Sequence, residues 1–139
     1  ETRYEGADWS PDVVVIDLGT NDFSTPLTAG ERWGSREALR DDFEAGYVRF
    51  ARTLRARHGD AFLILLTPPS NEDEIAVSVG RVAERLKAAG EERLAVLATG
   101  ALAFTACDWH PSREDHERIA GVLAAFVDAR PEVWREARR

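Results

Sequence analysis

The sequence contains one cysteine, Cys107, in 139 residues, so no disulfide can close within the chain. That leaves the compartment open, because a chain able to bury a large core needs no cross-link. No run approaches the ~20 uninterrupted apolar residues of a membrane span. The segment Glu1 to Gly6 has neither the basic start nor the apolar stretch of a signal peptide, and no membrane partner is expected. Positive charge is also scarce: 18 Lys and Arg against 25 Asp and Glu give a formal net charge of −7. Nucleic-acid binding relies on clustered basic residues that release counterions from phosphates, so no nucleic-acid partner is expected. There is no internal repeat, low-complexity tract or linker.

What is present suits one globular unit. The 44% hydrophobic content is enough to bury a core without a disulfide or a metal. The stretch from Asp12 to Leu18 is short, β-branched and almost continuously apolar, as in a strand covered on both faces of a parallel sheet. From Ser35 to His58, Leu39, Phe43, Tyr47, Phe50 and Leu54 recur every three or four positions, which predicts an amphipathic helix stopped by Gly59. Ala61 to Leu66 reads as a second strand, Glu72 to Ala89 as a helix ending at Gly90, and Leu94 to Ala98 as a third strand. A helix from about Arg113 to Ala129 follows, with Ser112 and Asp115 at capping-box spacing. Pro131 then precedes a short charged helix around Trp134. Strand and helix in strict alternation imply right-handed crossovers and a parallel, three-layer α/β/α sheet. Because the chain opens almost directly into a buried-type strand, an apolar sheet edge is expected, paired by an upstream segment or another chain.

An open parallel sheet binds ligands beyond the carboxyl ends of its strands. The loops there are Gly19 to Gly34, Thr67 to Asn71 and Thr99 to Ser112, so topology alone brings Asn21 and His110 toward one pocket. An Asn amide placed after a strand by a small Gly19 can donate to developing negative charge, and a His before a helix can shuttle a proton. Equally, Asn21 and Asp22 serve as turn residues. Trp109 and Trp33 fall in or near the same loops, where aromatic faces suit sugar rings or simply pack beneath the loops. Cys107 reads as an inert packed residue rather than a thiolate nucleophile. No metal is expected, since His58 ends a helix and His110 and His116 are six apart, on different faces. No cofactor is expected either.

Pro11-Asp-Val-Val-Val-Ile-Asp-Leu-Gly-Thr-Asn-Asp22 resembles the third block of the SGNH (GDSL-type) hydrolases, G-x-N-D after a central strand. Asp108-Trp-His-Pro-Ser112 resembles their fifth block, around the catalytic histidine. In wording both are most similar to the carbohydrate esterases of family two, which deacetylate xylan and related polysaccharides. The resemblance covers Pro11 to Ser112 and implies a flavodoxin-like sheet of about five strands, of which three lie here, so that residues 1–139 form the C-terminal part of one hydrolase domain. It further implies a secreted or periplasmic setting, an acylated carbohydrate or small ester as substrate, His110 as base and Asn21 as oxyanion donor. Gly19, Asp22, Trp109 and Trp33 would then line the substrate site.

The family's Gly-Asp-Ser block, which carries the nucleophile, is not found in this sequence. Ser35 and Ser112 read as helix caps, Ser10 precedes a strand, Ser78 lies within a helix, and Ser24 and Ser70 stand at the carboxyl edge without a nucleophile elbow. The isolated chain is therefore expected to be inactive. The position three before His110, where many relatives carry the orienting Asp, is Cys107; Asp108 or a backbone carbonyl is expected to orient His110 instead. Two alternatives follow from the same residues. One is a noncatalytic carbohydrate-binding or interaction domain. The other rests on Asp17-Leu-Gly-Thr20, which resembles a phosphate loop of actin-like ATPases but would require an antiparallel strand to follow.

Overall fold

The computed structural model describes residues 9–134. Its three strands are β1 (Val13–Asp17), β2 (Phe62–Thr67) and β3 (Leu94–Ala98), and its helices are α1 (Thr20–Phe23), α2 (Arg36–Arg57), α3 (Glu74–Ala88) and α4 (Arg113–Asp128). The strands form one parallel sheet in the order β1-β2-β3, with Val13 opposite Phe62 and Leu63 opposite Leu94. As the middle strand, β2 is buried at all six positions.

Alternation along β2 divides the core into two halves. Leu63 and Leu65 point to the face covered by α2 and α3, where they join Ile16, Leu39, Tyr47, Val79 and Val82. Phe62 and Ile64 point to the opposite face and meet Phe126 of α4 and Val133. Complete burial of Leu63, Ile64 and Leu65 contributes about 2 kcal/mol of transfer free energy apiece. The result is the three-layer α/β/α arrangement expected, with three strands.

Local chemistry explains where the elements begin. The Ser35 side chain accepts from the Ala38 N–H and starts α2, and Ser112 with Asp115 forms a complete capping box on α4. Helix α3 starts at Glu74 rather than Glu72, because Glu72 and Asp73 hold left-handed φ values of 52° and 54°. The Ser70 hydroxyl caps it instead, accepting from the Ile75 N–H at 3.1 Å. Gly59 does not adopt the left-handed conformation expected of a helix stop; the His58 N–H simply closes the last turn on the Leu54 carbonyl. Only a turn at Pro131–Val133 precedes Trp134, and the remainder of the helix expected there lies outside the described residues.

Among the described residues β1 and β3 are the outer strands; Val15 of β1 is 44% exposed, and Leu18, just after the strand, 42%. Strand β1 runs parallel to β2 through α1 and α2. The hairpin that an actin-like phosphate loop requires is therefore not formed, and that alternative is set aside.

Candidate active site

The loops at the carboxyl ends of the three strands meet around a pocket of about 230 Å³, lined by Thr20, Ser24, Ser70, Phe104 and Trp109 among others. A neighbouring cavity of about 520 Å³ shares Phe23 and Ser24 with it and extends to Arg36 and Glu74. Another, of about 470 Å³, lies at the amino ends of the strands around Arg55, Gly90 and Arg93, away from where a parallel sheet places its ligands.

Gly19 starts the first loop, which reaches the pocket at Thr20. It has φ 115° and caps the single turn α1. A Cβ there would meet Phe43 Cζ at 3.2 Å and two Ile75 carbons at 3.5 Å. The conformation calls for glycine, and an added Cβ would also crowd Phe43. The one-turn helix that follows, read from sequence as a turn, leaves Asn21 and Asp22 exposed and buries Phe23. Arg36, at the start of α2, fastens this segment. Its guanidinium donates to the Phe23 carbonyl at 2.8 Å, the Thr25 carbonyl at 2.7 Å and both oxygens of Glu74. The paired guanidinium, through its hydrogen bonds, holds the Glu74 carboxyl below the ordinary carboxylate range. Neither Arg36 nor its partners carry a local sequence signal, since the contacts join positions 11, 13 and 38 residues apart.

The third loop carries His110, which is exposed. A short turn at Cys107–Trp109 closes on itself: the His110 N–H donates to the Cys107 carbonyl at 3.1 Å and the Ala106 N–H to the His110 carbonyl at 3.2 Å. The ring Nδ1 lies 3.0 Å from the same Cys107 carbonyl. A carbonyl can only accept, so Nδ1 is the protonated nitrogen and Nε2 of the neutral ring keeps its lone pair, the state a general base needs. Asp108, the carboxylate weighed as orienter, makes no such contact. With φ 52° it occupies the reversal that turns the preceding carbonyl, not its own side chain, toward the ring. The thiol of Cys107 is free and exposed rather than packed.

Trp109 is 85% exposed and lines the pocket. Trp33 is not brought there. Its indole packs against the core on the α2–α3 side, donates to Asp42 at 3.2 Å and lies under the Arg32 guanidinium at 4.8 Å. Ser24 and Ser70 stand at the pocket, but the Ser24 hydroxyl donates to the Asn21 carbonyl and the Ser70 hydroxyl caps α3, while Ser78 is buried within α3. Among the described residues no group of three His, Cys, Asp or Glu side chains stands together as a metal site.

Asp115 was legible only as half of a capping box. It is 1% exposed and accepts four hydrogen bonds. Besides those from the N–H and hydroxyl of Ser112 at 2.9 and 3.1 Å, it takes the Ala103 N–H at 2.8 Å and the Phe104 N–H at 3.0 Å. The backbone bonds from Ala103 and Ser112 lead in holding its carboxyl down at about 2.

No family model matches the chain. It is homologous to a Cellvibrio japonicus protein named acetylxylan esterase / glucomannan deacetylase, with 38% identity over 131 residues, 94% of this chain and 36% of that protein. A solved carbohydrate esterase, whose active site is described as displaying divergent catalytic and non-catalytic binding functions, is 37% identical. It superposes with a TM-score of 0.93 over 97% of this chain and 41% of its own. A family two carbohydrate esterase from Clostridium thermocellum, in complex with cellohexaose, shares the fold at 22% identity, with a TM-score of 0.76 over 94% of this chain and 39% of its own. The chain thus spans little more than a third of the curated relative's length.

Proposed function

We propose that this homologue of carbohydrate esterases is the C-terminal part of one SGNH-type domain, which removes acetyl or other small acyl groups from carbohydrate by Ser-His chemistry. The observation that carries the reading is the Nδ1 contact of His110 with the Cys107 carbonyl, which leaves Nε2 free to accept a proton next in sequence to Trp109, a residue of the pocket lining. In the proposed reaction a serine attacks the ester carbonyl while His110 Nε2 takes its proton. The tetrahedral oxyanion is stabilised by the Asn21 amide, and the proton returns through His110 to the departing sugar hydroxyl. Water then repeats the cycle on the acyl-enzyme. Gly19 shapes the loop, Asp22 stands beside Asn21, and Trp109 offers its exposed face to a sugar ring. No serine of this sequence stands in a Gly-Asp-Ser block, so the nucleophile is assigned to residues outside these 139, and the chain by itself is proposed to be inactive.

The 85% exposure of Trp109 also favours a second reading, noncatalytic binding of a polysaccharide at the same rim. Acetate release from acetylated xylan and glucomannan by the full-length protein separates the two. The esterase reading expects release that falls roughly 10²–10³-fold in Asn21→Ala, as for loss of one oxyanion donor. It also expects a raised KM on polysaccharide, but not on p-nitrophenyl acetate, in Trp109→Ala. Binding of cellohexaose without any acetate release would establish the second reading instead.

A further inference from the structure

We infer that Asp115 is a positioning residue that holds His110 in its base-competent tautomer, an assignment that rests on the esterase reading of the site. A helix cap needs only Ser112, and the capping box is satisfied by the Ser112 N–H and hydroxyl. The other two bonds serve no helix. Oδ1 of Asp115 accepts from the Ala103 N–H, and Oδ2 also takes the Phe104 N–H, twelve and eleven residues upstream.

One buried carboxylate therefore clamps both ends of the loop from Ala103 to Ser112, and His110 lies inside it. Phe104, Asp108 and Trp109 hold left-handed φ values of 51°, 52° and 59°. Non-glycine residues keep that conformation only where the surroundings over-determine it. At Phe104 the determinant is the bond from its own N–H to Asp115. At Asp108 and Trp109 the residues between the two clamped ends must reverse direction within a fixed span. That reversal is what aims the Cys107 carbonyl at Nδ1. Asp115 takes the place of the carboxylate that would otherwise face the ring: it touches the loop rather than the imidazole, and fixes the tautomer through a carbonyl.

The test uses the full-length protein carrying Asp115→Asn, Ser112→Ala, or Ser35→Ala as a control that removes the equivalent cap of α2 without touching the loop. Asparagine keeps the size of the side chain but turns an N–H₂ group toward backbone donors; Ser112→Ala removes one of the four donors and remains readable if Asp115→Asn does not fold. Two quantities are measured well below each variant's melting temperature: kcat and KM on p-nitrophenyl acetate, and the ring ¹⁵N signals of His110, assigned by their loss in His110→Ala. The wild type should show a protonated Nδ1. Asp115→Asn should move His110 toward the Nε2–H tautomer and lower kcat tenfold or more with KM within twofold. Ser112→Ala should do so in part, and Ser35→Ala should lower the melting temperature alone. A His110 signal and kcat unchanged in both loop variants would reduce Asp115 to a helix cap and overturn the assignment. Should the wild-type full-length protein show no ester hydrolysis, the esterase reading fails, while the tautomer measurement still decides whether Asp115 positions the ring.

Discussion

At the scale of single residues, the chemistry of this site depends on backbone conformations that few side chains tolerate. Gly19 combines a φ of 115° with a closest virtual Cβ contact of 3.2 Å to Phe43. Gly19→Ala is expected to destabilise the fold by about 1–3 kcal/mol, read as a lower urea midpoint with an unchanged slope; an unshifted midpoint would mean that the loop relaxes freely. His110 and Asn21 could be named from the sequence because each stands in a recognisable local pattern. The partner of His110 stayed open between Asp108 and a backbone carbonyl, because a main-chain carbonyl leaves no signature and depends on Asp108 turning left-handed. Asp108 looked like a possible orienter by type and proximity in sequence, and geometry assigned the contact to its neighbour's backbone. Trp33 failed as a pocket residue for a related reason: its partner Asp42 lies on a helix face that the local pattern does not reveal.

At the scale of elements, apolar periodicity located all three strands and the three long helices to within one or two residues, since burial of one face dictates that spacing. The start of α3 was misplaced because two acidic residues at φ near 53° make a turn where the composition reads helix. The turn α1 was missed because one turn of helix has no periodicity to detect. The tie between α2, α3 and the site loop was likewise invisible. Arg36→Ala should cost about 2–3 kcal/mol, less than a fully buried pair, because it strips Glu74 and two loop carbonyls of their donor. It should also speed amide exchange across Phe23 to Thr25. The same pair predicts a pH dependence. Glu74 and Asp115 have folded-state pKa values below their ordinary 4.5 and 3.8. The stability they contribute is present above those values and is lost as pH falls through them, for Asp115 toward about 2. Thermal unfolding from pH 6 to pH 2 should show this decline, and it should be flatter in Arg36→Ala and in Asp115→Asn. An equally steep decline in both variants would assign the effect to other carboxylates.

At the scale of the whole molecule, the parallel α/β architecture follows from strand and helix alternation, and it determines where chemistry can occur. Loops at the carboxyl ends of the three strands bring residues from Thr20 to Trp109 around one pocket, and Phe23 and Ile75 of the core on the α2–α3 side form part of its lining. The exposed apolar side chains of Val15 on β1 and Leu18 just after it, and the absence of a Gly-Asp-Ser block in the sequence, lead to the same proposal, a site completed from outside these 139 residues. The most direct test is hydrolysis of p-nitrophenyl acetate by the full-length protein and by residues 1–139 alone, each with and without His110→Ala. The account predicts activity only in the full-length protein, falling roughly 10²–10⁴-fold when the general base is removed. Hydrolysis by the full-length protein that survives His110→Ala, or that residues 1–139 perform unaided, would contradict it.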